Sequence, residues 1–254
     1  MALLEVSRLT LRFGGLSVIS DVSITVEKGA IDSLIGPNGA GKTSMFNCLT
    51  GFYRPSGGTI TFRGQSIGGC PPHRITQLGL ARTFQNIRLF REMTVLENVM
   101  SGPHCRTRHG LVAAILHLPA QRREEQAIRD AGHRWMNFFG IGKHAGSLAG
   151  TLSYGDQRRV EWARALASSP DLVLLDEPAA GLNHNEKAGL VELIRRVRDD
   201  TGVTILLIEH DMGLVMEVSE KVTVLDYGQK IAEGPPAVVQ SDPAVIEAYL
   251  GTEE

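Results

Sequence analysis

The sequence is short of cysteine, of net positive charge and of long apolar runs, and each shortage removes a class of protein. Cys48, Cys70 and Cys105 are the only three cysteines in 254 residues. None has CxxC spacing, so neither a disulfide framework nor a zinc site is expected, and the thiols read as free in a reducing compartment. The formal net charge of -2 lacks the basic excess with which nucleic-acid binders hold phosphate backbones. DNA and RNA are therefore not expected partners, and any attraction to polyanions is local. The longest central apolar run, LVAAIL from Leu111, falls far short of the roughly 20 residues that cross a bilayer. The opening MALLEVSRLTLRF carries Glu5 and alternates like a strand, unlike a secretory leader with its basic head and unbroken apolar core. A soluble body without signal peptide or transmembrane segment is expected, and no internal repeat, low-complexity tract or linker divides the chain.

What is present alternates between strand and helix patterns. LLEVSRLTLRF and SDVSITVEKG have period-two alternation around the turn FGG, and GTITFRGQSI follows a turn cluster, so these segments are expected to form an antiparallel sheet. IDSLI, DLVLLDEP and TILLIEHD are short apolar runs. The helical pattern NEKAGLVELIRRVRDDTG lies between the last two, which implies a parallel sheet with a crossover. From Pro71 to about Ser153 the pattern is mostly helical, clearest in TVLENVM and EEQAIRDAGHRWMNFFG. KVTVLDYGQKIAEG reads as a hairpin about Tyr227-Gly228, and VIEAYLG as a short terminal helix.

Two stretches carry chemistry. GPNGAGKT, Gly36 to Thr43, follows the strand IDSLI and opens a helix. A glycine-rich turn in that position surrounds an anion with backbone N–H groups and adds the positive end of the helix dipole. It fits GxxxxGK[ST]. The segment Gly36, Pro37, Asn38, Gly39, Ala40, Gly41 and the start of the helix at Ser44 is expected to bind ATP, its backbone N–H groups cradling the α and β phosphates. Lys42 then reaches the β and γ phosphates, and the Thr43 hydroxyl binds Mg2+. LVLLDEP ends a buried strand in two adjacent carboxylates, which are costly to bring together unless a cation or a water uses them. Asp176 is expected to hold Mg2+ and Glu177 to polarise the attacking water.

Ahead of that acidic strand lies LSYGDQRR, from Leu152, which resembles the LSGGQ signature of the ABC-transporter ATPases. The resemblance runs over essentially the whole chain. It implies an α/β P-loop NTPase fold: a RecA-like parallel-sheet core, an antiparallel β subdomain and an α-helical signature subdomain. The boundaries expected within a single ABC ATPase domain are 1–84 with 159–254 for the nucleotide-binding core and 85–158 for the helical part. By the same resemblance, Gln85 approaches magnesium and water, His210 touches the γ phosphate, and Phe13 stacks on adenine. Gly181, Leu182 and Asn183 form a dimer-contacting loop. The signature Leu152, Ser153, Tyr154, Gly155 and Asp156 completes the ATP site of a second ABC ATPase subunit, so that ATP is sandwiched and its binding closes the dimer. Tyr154 and Asp156 depart from the glycine and glutamine of the signature. Asp156 brings a carboxylate near the phosphate unless it pairs with Arg158 or Arg159, whereas the retained Ser153 and Gly155 can approach an anion closely.

RFGGL, ARTFQNIRLFREMTVLENVM, the insertion from His104 to about Glu125, DEPAAGLN and DPAVIEAYLG are together similar to the ATP-binding subunits of bacterial branched-chain amino-acid importers, with urea importers sharing much of the pattern. The similarity implies a peripheral ATPase on the cytoplasmic face of the inner membrane, working with permease subunits and, indirectly, a solute-binding protein. A groove beside Gln85, bordered by Asn86 to Met93, would receive a short helix of the permease. Arg106, Arg108, Arg122 and Arg123 lie in a stretch without acids, which leaves open a solvated basic loop around a helix packed on the core, or a contact with anionic lipid or with the permease. A soluble ABC ATPase acting on nucleic acid or ribosomes is the alternative class; its usual coiled-coil arms, zinc cysteines or fused second ATPase are not visible.

Overall fold

The computed structural model describes residues 2–103 and 119–250, with the side chains of 119–122 outside the description. The central part of the 104–125 insertion, with Arg106 and Arg108, thus lies outside the described residues, as does the Arg122 side chain. The chain divides into two compact units, Met1–Ile75 with Asp171–Glu254, and Thr76–Pro170.

The first unit holds two sheets. In one, β1 (Ala2–Phe13) lies between β2 (Leu16–Glu27) and β4 (Gly57–Phe62), with β5 (Gln65–Ser66) at the edge, all antiparallel. The alternation seen in the sequence is the alternation of burial along β1 and β2. In the other, β3 (Ile31–Ile35) sits between β8 (Thr204–Ile208) and β9 (Lys221–Asp226), parallel to both, and β7 (Leu172–Asp176) pairs in parallel with β8. The hairpin strand β10 (Gln229–Gly234) closes the far edge. Every residue of β3, β7 and β8 is buried. Continuous apolar runs rather than alternation mark such strands, because both faces of a parallel sheet are covered.

Helices α1 (Lys42–Leu49), α6 (His184–Thr201), α7 (Met212–Val218), α8 (Pro236–Gln240) and α9 (Pro243–Leu250) belong to this unit. Asn183 and Glu186 make a reciprocal capping box on α6, which ends at Gly202 with φ 68°. Local chemistry thus sets both ends of the crossover helix between β7 and β8.

Helix α2 (Pro72–Leu78) runs across the sequence boundary at Ile75, and the second unit carries β6 (Leu80–Arg82) and helices α3 (Val95–Met100), α4 (Pro119–Phe138) and α5 (Tyr154–Ala167). The strand β6 interrupts a stretch whose pattern is otherwise helical; three residues are too few to display a period. Asn98, fully buried, organises this unit. Its side chain accepts from Phe90 N–H at 2.9 Å and donates to the carbonyls of Phe90, Met93 and Thr94 at 2.9, 3.3 and 3.0 Å. The loop so held is laid along the segment preceding the signature: Ala149 N–H donates to Met93 O at 3.0 Å and Gly150 N–H to Arg91 O at 3.1 Å. Asn98→Ala strips a buried loop of these partners and is expected to destabilise the subunit by about 2 kcal/mol. Chemical unfolding checks this, and an unchanged midpoint would mean that water replaces the amide.

Candidate nucleotide site

The residues expected to meet a phosphate emerge from the carboxyl ends of adjacent parallel strands, where open α/β sheets bind ligands. After β3 the chain turns through Gly36, whose φ of 147° and missing side chain are both required: a Cβ there would lie 2.0 Å from the Leu225 carbonyl oxygen. Gly41, at φ 99°, is the N-cap of α1 and has no side chain to satisfy the helix amides. Those first-turn N–H groups, together with the loop amides, form an anion-binding concavity. Gly228 N–H donates to Ala40 O at 3.1 Å, so the turn of the β9–β10 hairpin backs the loop.

Lys42 is buried, and its ammonium donates to the carbonyls of Gly36 at 2.7 Å and Pro37 at 2.9 Å. Burial lowers its pKa, and the negative charges of Glu177 and then Asp176 oppose that fall. The end of β7 therefore delivers both carboxylates of LVLLDEP into the field of the loop lysine. Asp176 is the last residue of β7 and is itself buried. Glu177 adopts φ 48°, in the left-handed region that a side-chain-bearing residue enters at a cost. Its N–H donates to Ile208 O on β8 at 2.9 Å, and Ala180 N–H donates to its carbonyl at 3.2 Å. The turn thus begins at the carboxylate itself, with the backbone pinned.

His210 follows β8 with its ring 60% exposed, free to meet a ligand rather than serve the core. Thr43 is exposed and Ser44 half-buried in the first turn of α1. Phe13, at the end of β1, is half exposed and meets the edge of Tyr53 with centroids 5.1 Å apart and planes at 80°. A face of an aromatic so held can receive a planar base. Asp176 and the Thr43 hydroxyl are hard oxygen donors, one charged and one neutral. That sparse set suits Mg2+, which keeps several waters and is completed by substrate phosphates, better than a metal that needs a full protein cage. No group of three or more His, Cys, Asp or Glu suited to a metal occurs among the described residues.

Gln85 and the signature belong to the second unit. Ser153 is the N-cap of α5: its oxygen accepts from Asp156 N–H at 3.2 Å, and its hydroxyl donates to the Asp156 carboxylate at 3.0 Å. Asp156 also meets Arg159 at 3.4 Å and His144 at 3.9 Å, while Arg158 donates to the Tyr154 hydroxyl at 2.8 Å and lies over its ring. Of the two arginines expected for Asp156, Arg159 takes it and Arg158 goes to the substituted tyrosine. Both departures from the signature are thereby tied within their own helix. Gln85 and Arg88 are exposed; Arg88 covers the Phe84 ring at 4.2 Å, and Phe90 is 55% exposed.

Sequence reasoning passed over two contributors. Tyr249 of α9 receives a hydrogen bond from the backbone of Gly36, which ties the terminal helix to the start of the loop. Glu209, wholly buried, binds the backbone of both Ala179 and His210. Its only sequence signal is an acid closing the apolar run TILLI.

The ABC transporter family matches residues 19–180, and the branched-chain amino acid ATP-binding cassette transporter family matches residues 229–254. The high-affinity branched-chain amino acid transport ATP-binding protein LivG of Salmonella typhimurium is 49% identical over 249 residues, spanning 98% of this chain and 98% of the relative. The corresponding protein BraF of Pseudomonas aeruginosa is 47% identical with the same coverage of both chains. Among solved structures, the ADP conformation of MJ1267, an ATP-binding cassette of an ABC transporter, superposes with a TM-score of 0.85 at 32% identity over 99% of each chain.

Proposed function

The chain belongs to the family of ABC-transporter ATPases, and from that premise we propose that it is the ATP-hydrolysing subunit of a membrane importer for branched-chain amino acids. The single observation that carries the mechanism is the convergence of Lys42, Asp176 and Glu177 at the strand ends beside a glycine-rich loop that opens an α-helix with no side-chain cap. The solute assignment is supported by the names of the relatives and by the family matched at the carboxyl-terminal end.

In this reading the loop from Gly36 to Ser44 wraps the phosphates of ATP, and Lys42 exchanges the Gly36 and Pro37 carbonyls for phosphate oxygens. Phe13 stacks on the adenine. Thr43 and Asp176 hold Mg2+, with Gln85 approaching it; the ion, when bound, neutralises charge developing on the transferring phosphoryl group. Glu177 orients and polarises the attacking water, while His210 contacts the γ phosphate. Phosphoryl transfer asks little covalent chemistry of a protein, so positioning and charge carry the rate.

The signature serves a second ABC subunit. A Cβ on Gly155 would meet no atom of the described residues within 4 Å beyond its chain neighbours and its own helix backbone, so packing among them does not demand glycine there, whereas a partner's phosphate approaching the backbone does. ATP joins the two subunits, and loss of the γ phosphate lets them part. No described helix is long and apolar enough to cross a membrane; the relatives' transport names support a peripheral subunit docked on permease subunits at the cytoplasmic face. The exposed Arg88 and Phe90 beside Gln85 mix charge and apolar surface as a docking groove does.

Purification of the intact membrane complex, identification of its companion chains, and reconstitution into vesicles test the whole reading. Magnesium-ATP-dependent uptake of leucine, isoleucine or valine is expected. Uptake of urea alone would move the solute assignment, and ribosome or DNA association without any membrane partner would overturn the transport role.

A further inference from the structure

Glu209 has no part in the chemistry assigned above, yet it is the most deeply buried carboxylate among the described residues. Hiding a carboxylate from water is costly unless fixed donors replace the solvent. Two of its donors come from different loops. Oε1 accepts from Ala179 N–H at 2.6 Å, in the segment leaving β7, and Oε2 accepts from His210 N–H at 3.2 Å, in the segment leaving β8. Glu177 lies two residues before Ala179, and its own N–H is bonded to Ile208 O at 2.9 Å. The two segments are therefore stapled twice, once at their root by the backbone and once further out by the Glu209 side chain. A third tie follows, since Lys187 of α6 meets the Asp211 carboxylate at 2.5 Å while Asp211 caps α7 through Leu214 N–H at 3.0 Å.

We propose that Glu209 is a positioning residue for ATP hydrolysis: its carboxylate locks the backbone of His210 to the loop that leaves Glu177, so that the γ-phosphate contact and the water-polarising carboxylate approach the nucleotide as one unit. A hydrophobic residue would fill the space at lower desolvation cost but could accept neither N–H group. Glutamine has nearly the same shape but presents one acceptor and one donor, so one of the two amides loses its partner. The inference rests on the roles given to Glu177 and His210 in the preceding subsection.

The test compares the wild-type subunit, with its companion chain where it forms a heterodimer, against Glu209→Gln, His210→Ala and the double variant, by single-turnover hydrolysis and magnesium-ATP affinity. Glu209→Gln is expected to lower kcat by about 10²-fold, the scale of a misplacement near 1 Å, with KM for ATP changed less than about 3-fold because the phosphate loop is untouched. In the His210→Ala background the same change is expected to cost less, because the His210 ring that it keeps in register with Glu177 is gone. A merely structural role would instead multiply the two losses. Wild-type kcat in Glu209→Gln, a rise in KM at constant kcat, or a full multiplicative loss in the double variant each overturns the inference. If Glu209→Gln does not fold, Lys187→Met, at a partly exposed position, loosens the adjoining tie. A kcat lowered several-fold with KM unchanged is then expected, and wild-type turnover overturns the coupling. A wild-type subunit that does not hydrolyse ATP would strike the underlying reading instead, which separates the two failures.

Discussion

Glu177→Gln is expected to lower steady-state ATP hydrolysis by about 10²–10⁴-fold, the usual worth of a positioned general base, while magnesium-ATP still binds and the subunit accumulates as a closed dimer. The substitution keeps side-chain length, and Glu177 is held at φ 48° by backbone bonds to Ile208 and Ala180 that the side chain does not make. The backbone turn is therefore preserved, while the charge is lost and one acceptor oxygen becomes an NH2 donor. That charge acts in two ways. It polarises water, and it is the foremost anion opposing the fall of the Lys42 pKa caused by burial. It also faces the incoming triphosphate with like sign, so neutralising it removes repulsion and affinity for ATP is expected to hold or rise. Since the γ phosphate joins two subunits, slow cleavage means slow separation. Size-exclusion chromatography with light scattering should then detect a dimer with ATP that ADP does not support. Normal turnover in the variant would remove Glu177 from water activation, and a lost affinity for ATP would show that its carboxylate serves binding instead.

Much of the first unit was legible because its determinants are local. Period-two alternation fixed β1, β2 and β4, short and mostly apolar runs without that alternation marked β3, β7 and β8, and GPNGAGKT announced its strand-turn-helix setting. Asn183 and Glu186, three residues apart, cap α6 from within a single turn. The contacts that sequence reasoning missed join positions far apart in the chain. Glu209 meets Ala179 thirty residues away, and Tyr249 reaches back to Gly36. Nothing in the immediate neighbourhood of such residues distinguishes a structural acid or tyrosine from a solvated one. Asn98 is a third case, since an asparagine inside TVLENVM reads as an ordinary polar helix position, yet it is the hub of a loop held by its amide. For Asp156 the sequence offered two adjacent arginines, and helix geometry decides between them. Arg159 is three residues along on the same face, while Arg158, at four residues from Tyr154, stacks on that ring.

Asp32→Asn is expected to stabilise the subunit by about 3 kcal/mol at pH 8, and by progressively less as the pH is lowered. Asp32 is the second residue of β3, in the strand that feeds the phosphate loop, and only 4% of its surface is exposed. Burial raises its pKa from 3.8 to about 6; Lys221 pulls the other way, and Glu220 and Glu233 add to the rise. The Lys221 ammonium stands 3.5 Å from Oδ2 and equally 3.5 Å from Glu233. An ion pair at that distance is shared and poorly directional, and Oδ2 meets no hydrogen-bond partner among the described residues. A carboxyl whose folded pKa lies above its unfolded value binds its proton more tightly when folded. The native state is then penalised for ionising it: the penalty is absent below about pH 4, grows between the two pKa values, and is complete above about pH 6 to 7. At about 1.36 kcal/mol per decade, a rise from 3.8 to about 6 gives the figure above. Asparagine mimics the protonated form at every pH, and Lys221 keeps Glu233 and the Thr25 carbonyl as partners. Glu161 and Glu209, whose pKa values burial also raises, titrate alike in both proteins and cancel in the difference. Urea unfolding of the two proteins at pH 8 and pH 5 should show the gain falling to about half at the lower pH. A gain independent of pH would assign the effect to packing, and a loss at pH 8 would mean that the Lys221 pair outweighs the cost of hiding the charge.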